Sequence, residues 1–223
     1  MRGKGRPSLV FMHGWGFDAG FWTPLRDRLN DYKTSAPDLG FYGKPKTNKT
    51  PDRPLIAIGH SLGFLWLLHK KPFAWDALIG INAFPRFTQA PDFPEGVPPH
   101  LLNAMAETFA TSPHAALDDF SRLCGDKGNW AADGAPDLSM FAKGLEWLGR
   151  WDERAAFAAE TAPVLLLAGR RDAVAPPALS KAMAALNPGT ALKWKNGGGH
   201  LLALSDPQWC AHEIKGFLRE RIA

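Results

Sequence analysis

Four short apolar runs constrain this chain more than any other feature: Leu9-Val10-Phe11-Met12, Leu55-Ile56-Ala57-Ile58, Ala77-Leu78-Ile79-Gly80-Ile81 and Val164-Leu165-Leu166-Leu167-Ala168. Continuous apolar stretches of this length, bounded by turn residues, read as strands buried on both faces. Helical spacing separates them. Phe21, Trp22, Leu25 and Leu29 recur on one helix face, and residues 64–68 are apolar on every side, as in a fully buried helix. Weaker strand patterns lie at residues 33–39 and 190–195, and the run at Ala77 extends over 76–84. This alternation predicts an α/β fold, with a mostly parallel central sheet of about six strands, right-handed crossovers and flanking helices.

Strand signals vanish between Phe84 and Thr161. Helical pieces separated by Pro and Gly take their place. One carries Leu101, Leu102, Met105 and Phe109, a second Leu117, Phe120 and Leu123, and a third Leu138, Phe141, Leu145 and Leu148. Residues 86–154 hold six Lys/Arg against eleven Asp/Glu, whereas the rest of the chain holds twenty against eleven. The expected organisation is a core domain made of residues 1–84 and 162–223, split by an acidic helical cap at 85–161. A last helix follows Asp206-Pro207, with Asp206 as its N-cap and Cys210, Ile214, Phe217 and Leu218 facing inward.

With 223 residues the chain has room for one principal core. Its 45% hydrophobic and 22% charged content excludes disordered, collagen-like and disulfide-scaffold classes. Cys124 and Cys210 form neither a disulfide framework nor a zinc cluster, so the expectations are a reducing, cytoplasmic compartment and no metal. The apolar run after Arg2, Lys4 and Arg6 is too short for a signal-peptide core, and no window of about 20 apolar residues offers a membrane span. A net charge of +4 and a pI near 9.1 fall short of a polybasic nucleic-acid binder. The chain is expected to act as a monomer.

The chemistry concentrates where strands end. Gly59-His60-Ser61-Leu62-Gly63 matches G-x-S-x-G between a strand and a helix, the context in which a serine is presented on a strained turn at a helix N-terminus. Asp172 lies just beyond the strand ending at Gly169, and His200 follows the last strand through Gly197-Gly198-Gly199. The chain order Ser61, Asp172, His200 suits a nucleophile, an orienting acid and a general base. After the first strand, His13-Gly14-Trp15-Gly16 offers a second element: the backbone N–H groups of Trp15 and Leu62 are expected to hold an oxyanion. Trp15 and Phe84 are expected to line the substrate pocket. The reaction so drawn needs no cofactor.

These motifs resemble those of the α/β-hydrolase superfamily over almost the whole chain. More narrowly, His13-Gly14-Trp15-Gly16, Gly59-His60-Ser61-Leu62-Gly63, and Gly144-Leu145-Glu146-Trp147-Leu148 with Asp152 beyond it, resemble the pimeloyl-carrier-protein methyl ester carboxylesterases of biotin synthesis. That resemblance implies cleavage of a methyl ester at the far end of a dicarboxylic acyl chain carried on acyl carrier protein. The chain departs from the family pattern at three points. Phe64 stands where a second glycine usually follows the serine turn, a Pro-, Lys- and Thr-rich crossover replaces a helix between Leu39 and Leu55, and two leading antiparallel strands are missing.

Other residues invite competing readings. Asp38, at the end of the second strand, is an alternative acid to Asp172. His13 and His60 read as structural hydrogen-bonders, His69, His100, His114 and His212 as surface or helix residues, and both cysteines as small core residues. Lys44, Lys46, Lys49 and Arg53 form a basic crossover that either steers an acidic partner or is simply solvated. In the acidic cap, Arg122, Arg150 and Arg154 are the local patches such a partner would find. Phe17, Phe87, Trp130 and Trp147 are further aromatics placed near the site or in the cap. The same machinery also suits a broad small-ester hydrolase, a thioesterase, a C–C bond hydrolase or an acyltransferase, and the fold alone suits a non-catalytic ligand-binding protein.

Overall fold

The computed structural model describes residues 6–46, 51–125, 132 and 134–222. Six strands form one all-parallel sheet: β1 (Ser8–Met12), β2 (Lys33–Ser35), β3 (Leu55–His60), β4 (Ala77–Ile81), β5 (Val164–Gly169) and β6 (Ala191–Lys195). Their spatial order is β2-β1-β3-β4-β5-β6. The order reverses between β1 and β3, which opens a crevice beyond the carboxyl ends of these two strands. Every residue of β1, β3, β4 and β5 is buried, which is why these segments read as unbroken apolar runs. The edge strands β2 and β6 are half-buried and mixed in polarity.

Helices complete the core. After a 3-10 turn at Ala19–Trp22, α1 (Thr23–Arg28) packs with the C-terminal pair α8 (Leu202–Ser205) and α9 (Pro207–Arg221). Against β3 and β1 lies α2 (Leu62–Lys70), and α7 (Pro177–Leu186) covers β5. Between β4 and β5 come α3 (Pro99–Thr111), α4 (Pro113–Cys124), α5 (Leu138–Arg150) and the short α6 (Arg154–Ala158). Helix α3 packs on both α4 and α5, while α6 lies against α7. One continuous apolar cluster joins this inserted layer to the sheet.

The insertion is pinned at its neck. Arg86 Nη1 lies 2.7 Å from Asp152 Oδ2, their backbones form an isolated antiparallel bridge, and Glu153 N donates to Pro85 O at 2.8 Å. Arg154 contacts Asp152 and Asp92, at 2.7 and 3.1 Å. Arg154, together with Arg86 and against the opposing effect of partial burial, holds the Asp152 carboxyl down at about 2.

Local details differ from the sequence expectations. The second strand covers three residues rather than 33–39, because Pro37 has no N–H to give and the Asp38 side chain accepts from Ala19 N and Gly40 N. The fourth strand stops at Ile81, where Asn82 turns to φ 47°. Asp206 sits at the start of α9 but does not cap it with its side chain, which instead meets Lys195 Nζ at 2.8 Å. His69 is an exposed residue of α2, as expected, but it has partners: it bonds Glu153 at 2.6 Å and stacks on Trp151, with ring centroids 3.9 Å apart. Both cysteines are buried in the apolar core, which agrees with their reading as small core residues, and burial pushes the Cys210 thiol well up. Arg53 pairs with Asp76 ahead of β3 and β4, at the end of the sheet remote from Ser61, so it leaves the basic crossover group. Lys49 and Trp130 lie outside the described residues.

Candidate active site

Ser61 occupies the one-residue turn between β3 and α2, with φ 52° and ψ −125°. A non-glycine residue held there stores roughly 1–3 kcal/mol of backbone strain, which the surrounding packing must sustain. Two glycines make the turn possible. A Cβ on Gly59 would come within 2.5 Å of Phe64 Cα, and one on Gly63 within 2.2 Å of the Met12 carbonyl oxygen. The helix α2 therefore starts pressed against the end of β1, with the dipole of its nine residues directed at the serine. Phe64 is fully buried, and its ring fits because Gly80 leaves room: a Cβ there would lie 3.1 Å from Phe64 Cδ2.

Asp172 and His200 meet beyond β5 and β6. The Nδ1–H of His200 donates to Asp172 Oδ2 at 2.8 Å, and Asp172 Oδ1 accepts from Val174 N and Ala175 N at 2.8 Å each. Three donors thus fix the carboxylate in a site where acid and imidazole are 4% and 1% exposed. This tautomer leaves His200 Nε2 a bare, buried acceptor, without a hydrogen-bond partner among the described residues. His60, the residue before Ser61, joins the two halves. Its Nε2–H donates to the His200 carbonyl at 3.0 Å, and its ring lies 4.7 Å from that of His200. Complete burial, and then the neighbouring His200 ring, hold the His60 imidazole well below the usual histidine range, so it is neutral.

Asp38 is placed elsewhere. It accepts from Ala19 N and Gly40 N and approaches His13 Nε2 at 3.4 Å. Burial pushes its carboxyl up, but its polar surroundings, the backbone donors Gly40 N and Ala19 N among them, hold it below the usual carboxylate range. His13 in turn contacts Gly14 O through Nδ1 and accepts from Leu39 N at Nε2, each at 3.0 Å, which fixes the loop after β1. That loop passes close over the serine, since a Cβ on Gly14 would lie 3.1 Å from Ser61 Cβ.

A cavity of about 400 Å³ opens from Ser61 into the inserted helices. Its wall is almost wholly apolar and includes Trp15, Phe87, Leu102, Met105, Phe120 and Leu148. Exposed Leu101 and Leu123 stand with Asp119 and Ala173 at its rim. Trp15 lines this cavity, but Phe84, expected beside it, does not. Phe84 is fully buried with its ring 4.9 Å from that of Phe87, and Phe87 reaches the cavity in its place. A second groove of about 580 Å³, between α3 and α5, does not include Ser61.

One residue that sequence reasoning passed over is Asn82. Its side chain accepts from Gly169 N at 2.9 Å and donates to Gly199 O and His200 O at 2.9 and 2.6 Å. The only sequence signal was a polar residue terminating an apolar strand. Among the described residues no group of three or more His, Cys, Asp and Glu side chains is disposed to hold a metal ion.

Comparison with known proteins places this geometry in context. Residues 9–213 match the profile of the alpha/beta hydrolase family. The chain is 30% identical over 240 residues to a pimeloyl-[acyl-carrier protein] methyl ester esterase of Xanthomonas campestris pv. campestris, covering 95% of each protein. It is also 30% identical over 244 residues to the protein of that name from Stenotrophomonas maltophilia, covering 97% of this chain and 94% of the other. Among solved structures, a bromoperoxidase from Bacillus anthracis shares the fold with a TM-score of 0.83 at 17% identity, over 97% of this chain and 93% of that one. An esterase from Exiguobacterium antarcticum follows at 0.81 and 17%, over 96% and 92%. By a profile match spanning nearly the whole sheet and the inserted helices, the chain belongs to the alpha/beta hydrolase family.

Proposed function

We propose that this protein is a serine carboxylesterase acting through an acyl-enzyme on Ser61, and that its substrate is a methyl ester ending an acyl chain carried on acyl carrier protein, in biotin synthesis. The observation that carries the chemistry is the buried Asp172–His200 pair, whose bare Nε2 belongs to the same loop that His60 ties to the serine turn.

The steps follow from these positions. His200 Nε2 takes the Ser61 Oγ proton as that oxygen adds to the ester carbonyl, and Asp172 holds the resulting imidazolium in place. The backbone N–H groups of Trp15 and Leu62 receive the oxyanion, each contributing about 3 kcal/mol to the transition state. Leu62 opens α2, where the first N–H groups have no acceptor within the helix. Collapse of the tetrahedral species breaks the bond to the alkoxide, which leaves as alcohol with the proton from His200. Water, deprotonated by the same nitrogen, then attacks the acyl carbon and frees Ser61 and the acid.

The apolar cavity supports an aliphatic acyl group, and the curated relatives' names support the methyl ester and the carrier. Charge near the rim supports a carrier approach on the core side. Arg122 pairs with Asp119 and Arg150 with Glu146, while Arg154 and Arg86 share Asp152, so these cap arginines are neutralised internally. Arg170 and Arg171 are exposed immediately before Asp172 and Ala173, and neither has an ion-pair partner among the described residues.

The deciding assay measures methanol release from pimeloyl-carrier methyl ester by the wild type and by Ser61→Ala. Rapid release by the wild type alone is expected. Wild type that hydrolyses small esters but leaves the carrier ester intact would overturn the substrate, and a wild type that a fluorophosphonate fails to label at Ser61 would overturn the esterase itself.

A further inference from the structure

His200 is carried on Gly197-Gly198-Gly199, the least self-supporting loop a chain can build, because glycine restricts its backbone less than any other residue. Its position must come from outside. Arg171 N donates to Gly198 O at 2.8 Å, and the next two carbonyls, of Gly199 and His200, both accept from the Asn82 amide. His60 Nε2–H supplies a second donor to the His200 carbonyl. The other end of the Asn82 side chain accepts from Gly169 N, at the end of β5 and three residues before Asp172. Asn82 is 1% exposed, and its own N–H continues the sheet ladder to Leu167 O at 2.8 Å.

We propose that Asn82 is a positioning residue that sets the register between Asp172 and His200 by bridging the strand that carries the acid and the loop that carries the base. The inference rests on the reading of His200 as general base. Asparagine meets three requirements at once. Its backbone tolerates φ 47°, its amide donates two hydrogen bonds, and its carbonyl accepts one. Aspartate would turn an anion toward two buried carbonyl oxygens, and an aliphatic side chain would leave three backbone groups without partners. Nothing else in the described structure bridges Gly169 N to the His200 loop through a side chain.

The test separates the side chain from the backbone angle. Asn82→Gly keeps the left-handed conformation at no steric cost and removes only the amide. Expected for Asn82→Gly are a fall of at least thirtyfold in kcat on p-nitrophenyl butyrate, KM within about twofold, and loss or marked broadening of the low-field Nδ1 proton resonance assigned with a His200→Ala control. Asn82→Asp, nearly isosteric, is expected to move the acidic limb of the kcat/KM profile upward by half a pH unit or more, because a carboxylate beside the loop favours the imidazolium. Asn82→Gly with kcat within threefold of wild type and the proton resonance unchanged would overturn the proposal, as would an unmoved limb in Asn82→Asp. The resonance reads the Asp172–His200 contact without any turnover. A wild type inactive on esters therefore tells against the esterase reading, while the resonance still decides the role of Asn82.

Discussion

The indole Nε1–H of Trp15 donates to the carbonyl of Phe141 at 2.9 Å, tying the loop that arches over Ser61 to the first turns of α5. Phe109, Phe120 and Phe141, one from each of α3, α4 and α5, set their rings around the same indole at centroid distances of 6.2, 4.9 and 5.1 Å. The backbone of Trp15 is the proposed oxyanion donor, so the inserted helices and the candidate active site share one residue.

That contact depends on a glycine. A Cβ on Gly144 would lie 2.5 Å from Trp15 Cδ1 and 2.9 Å from Phe41 Cε1. Gly144→Val is expected to displace α5 and lower kcat on p-nitrophenyl butyrate at least tenfold, with a lower thermal midpoint. Trp15→Phe, which keeps most of the ring and loses one buried hydrogen bond, should cost about 1 kcal/mol of stability in chemical denaturation.

Asp172 and Asp38 make opposite predictions. Asp172→Asn should lower kcat by about four orders of magnitude, because the amide stabilises the wrong tautomer of His200. Asp38→Asn disturbs a loop anchor that makes its hydrogen bonds to Ala19 N and Gly40 N and not to His200, so kcat should fall less than tenfold. Steady-state kinetics of the two variants, side by side, would reverse the assignment of the acid if Asp38→Asn proved the more damaging.

His60 gives the fold a pH dependence of known sign. Its folded-state pKa is depressed, so near and below about pH 6.5 the unfolded chain binds the proton more readily than the native one. The stabilisation is complete above that pH and is lost as pH falls, at up to about 1.4 kcal/mol per unit. Asp152, held at about 2, contributes its own loss only below the usual carboxylate range, well separated from this window. Urea unfolding between pH 7.5 and 5 should show the slope, and His60→Gln should flatten it. An equal slope in both proteins would remove His60 as its source.

Carrier docking on the core side predicts a salt-sensitive rate. Arg170→Glu with Arg171→Glu should cut kcat/KM for a carrier-bound ester at least tenfold and flatten its dependence on ionic strength. A small methyl ester should be cleaved within about twofold of the wild-type rate. Equal loss on both substrates would point to damage at Asp172 rather than to docking.

Much of this was legible along the chain because local physics decided it. Strands buried on both faces must be apolar throughout, so β1, β3, β4 and β5 announce themselves in sequence, while β2 and β6, at the edges, do so only faintly. Ser61, Asp172 and His200 stand out as candidates because each lies within a few residues of a strand's carboxyl end, beside glycines that punctuate the apolar pattern. Phe64, where the resemblance implies a second glycine, is accommodated by Gly59 and Gly80, a relation between β3, β4 and α2 that no local window contains.

What the sequence determined by itself was the α/β alternation, the run of helices between β4 and β5 and the candidates for the reactive side chains, since propensity, periodicity and turn chemistry act over a few residues. Only the tertiary structure decided which aromatic reaches the cavity, which arginines are already neutralised, and that Asn82 pins the His200 loop to the end of β5. These depend on groups far apart along the chain meeting in space, Asn82 and His200 across 118 positions, where a buried donor must find an acceptor and only the assembled sheet sets which one it finds.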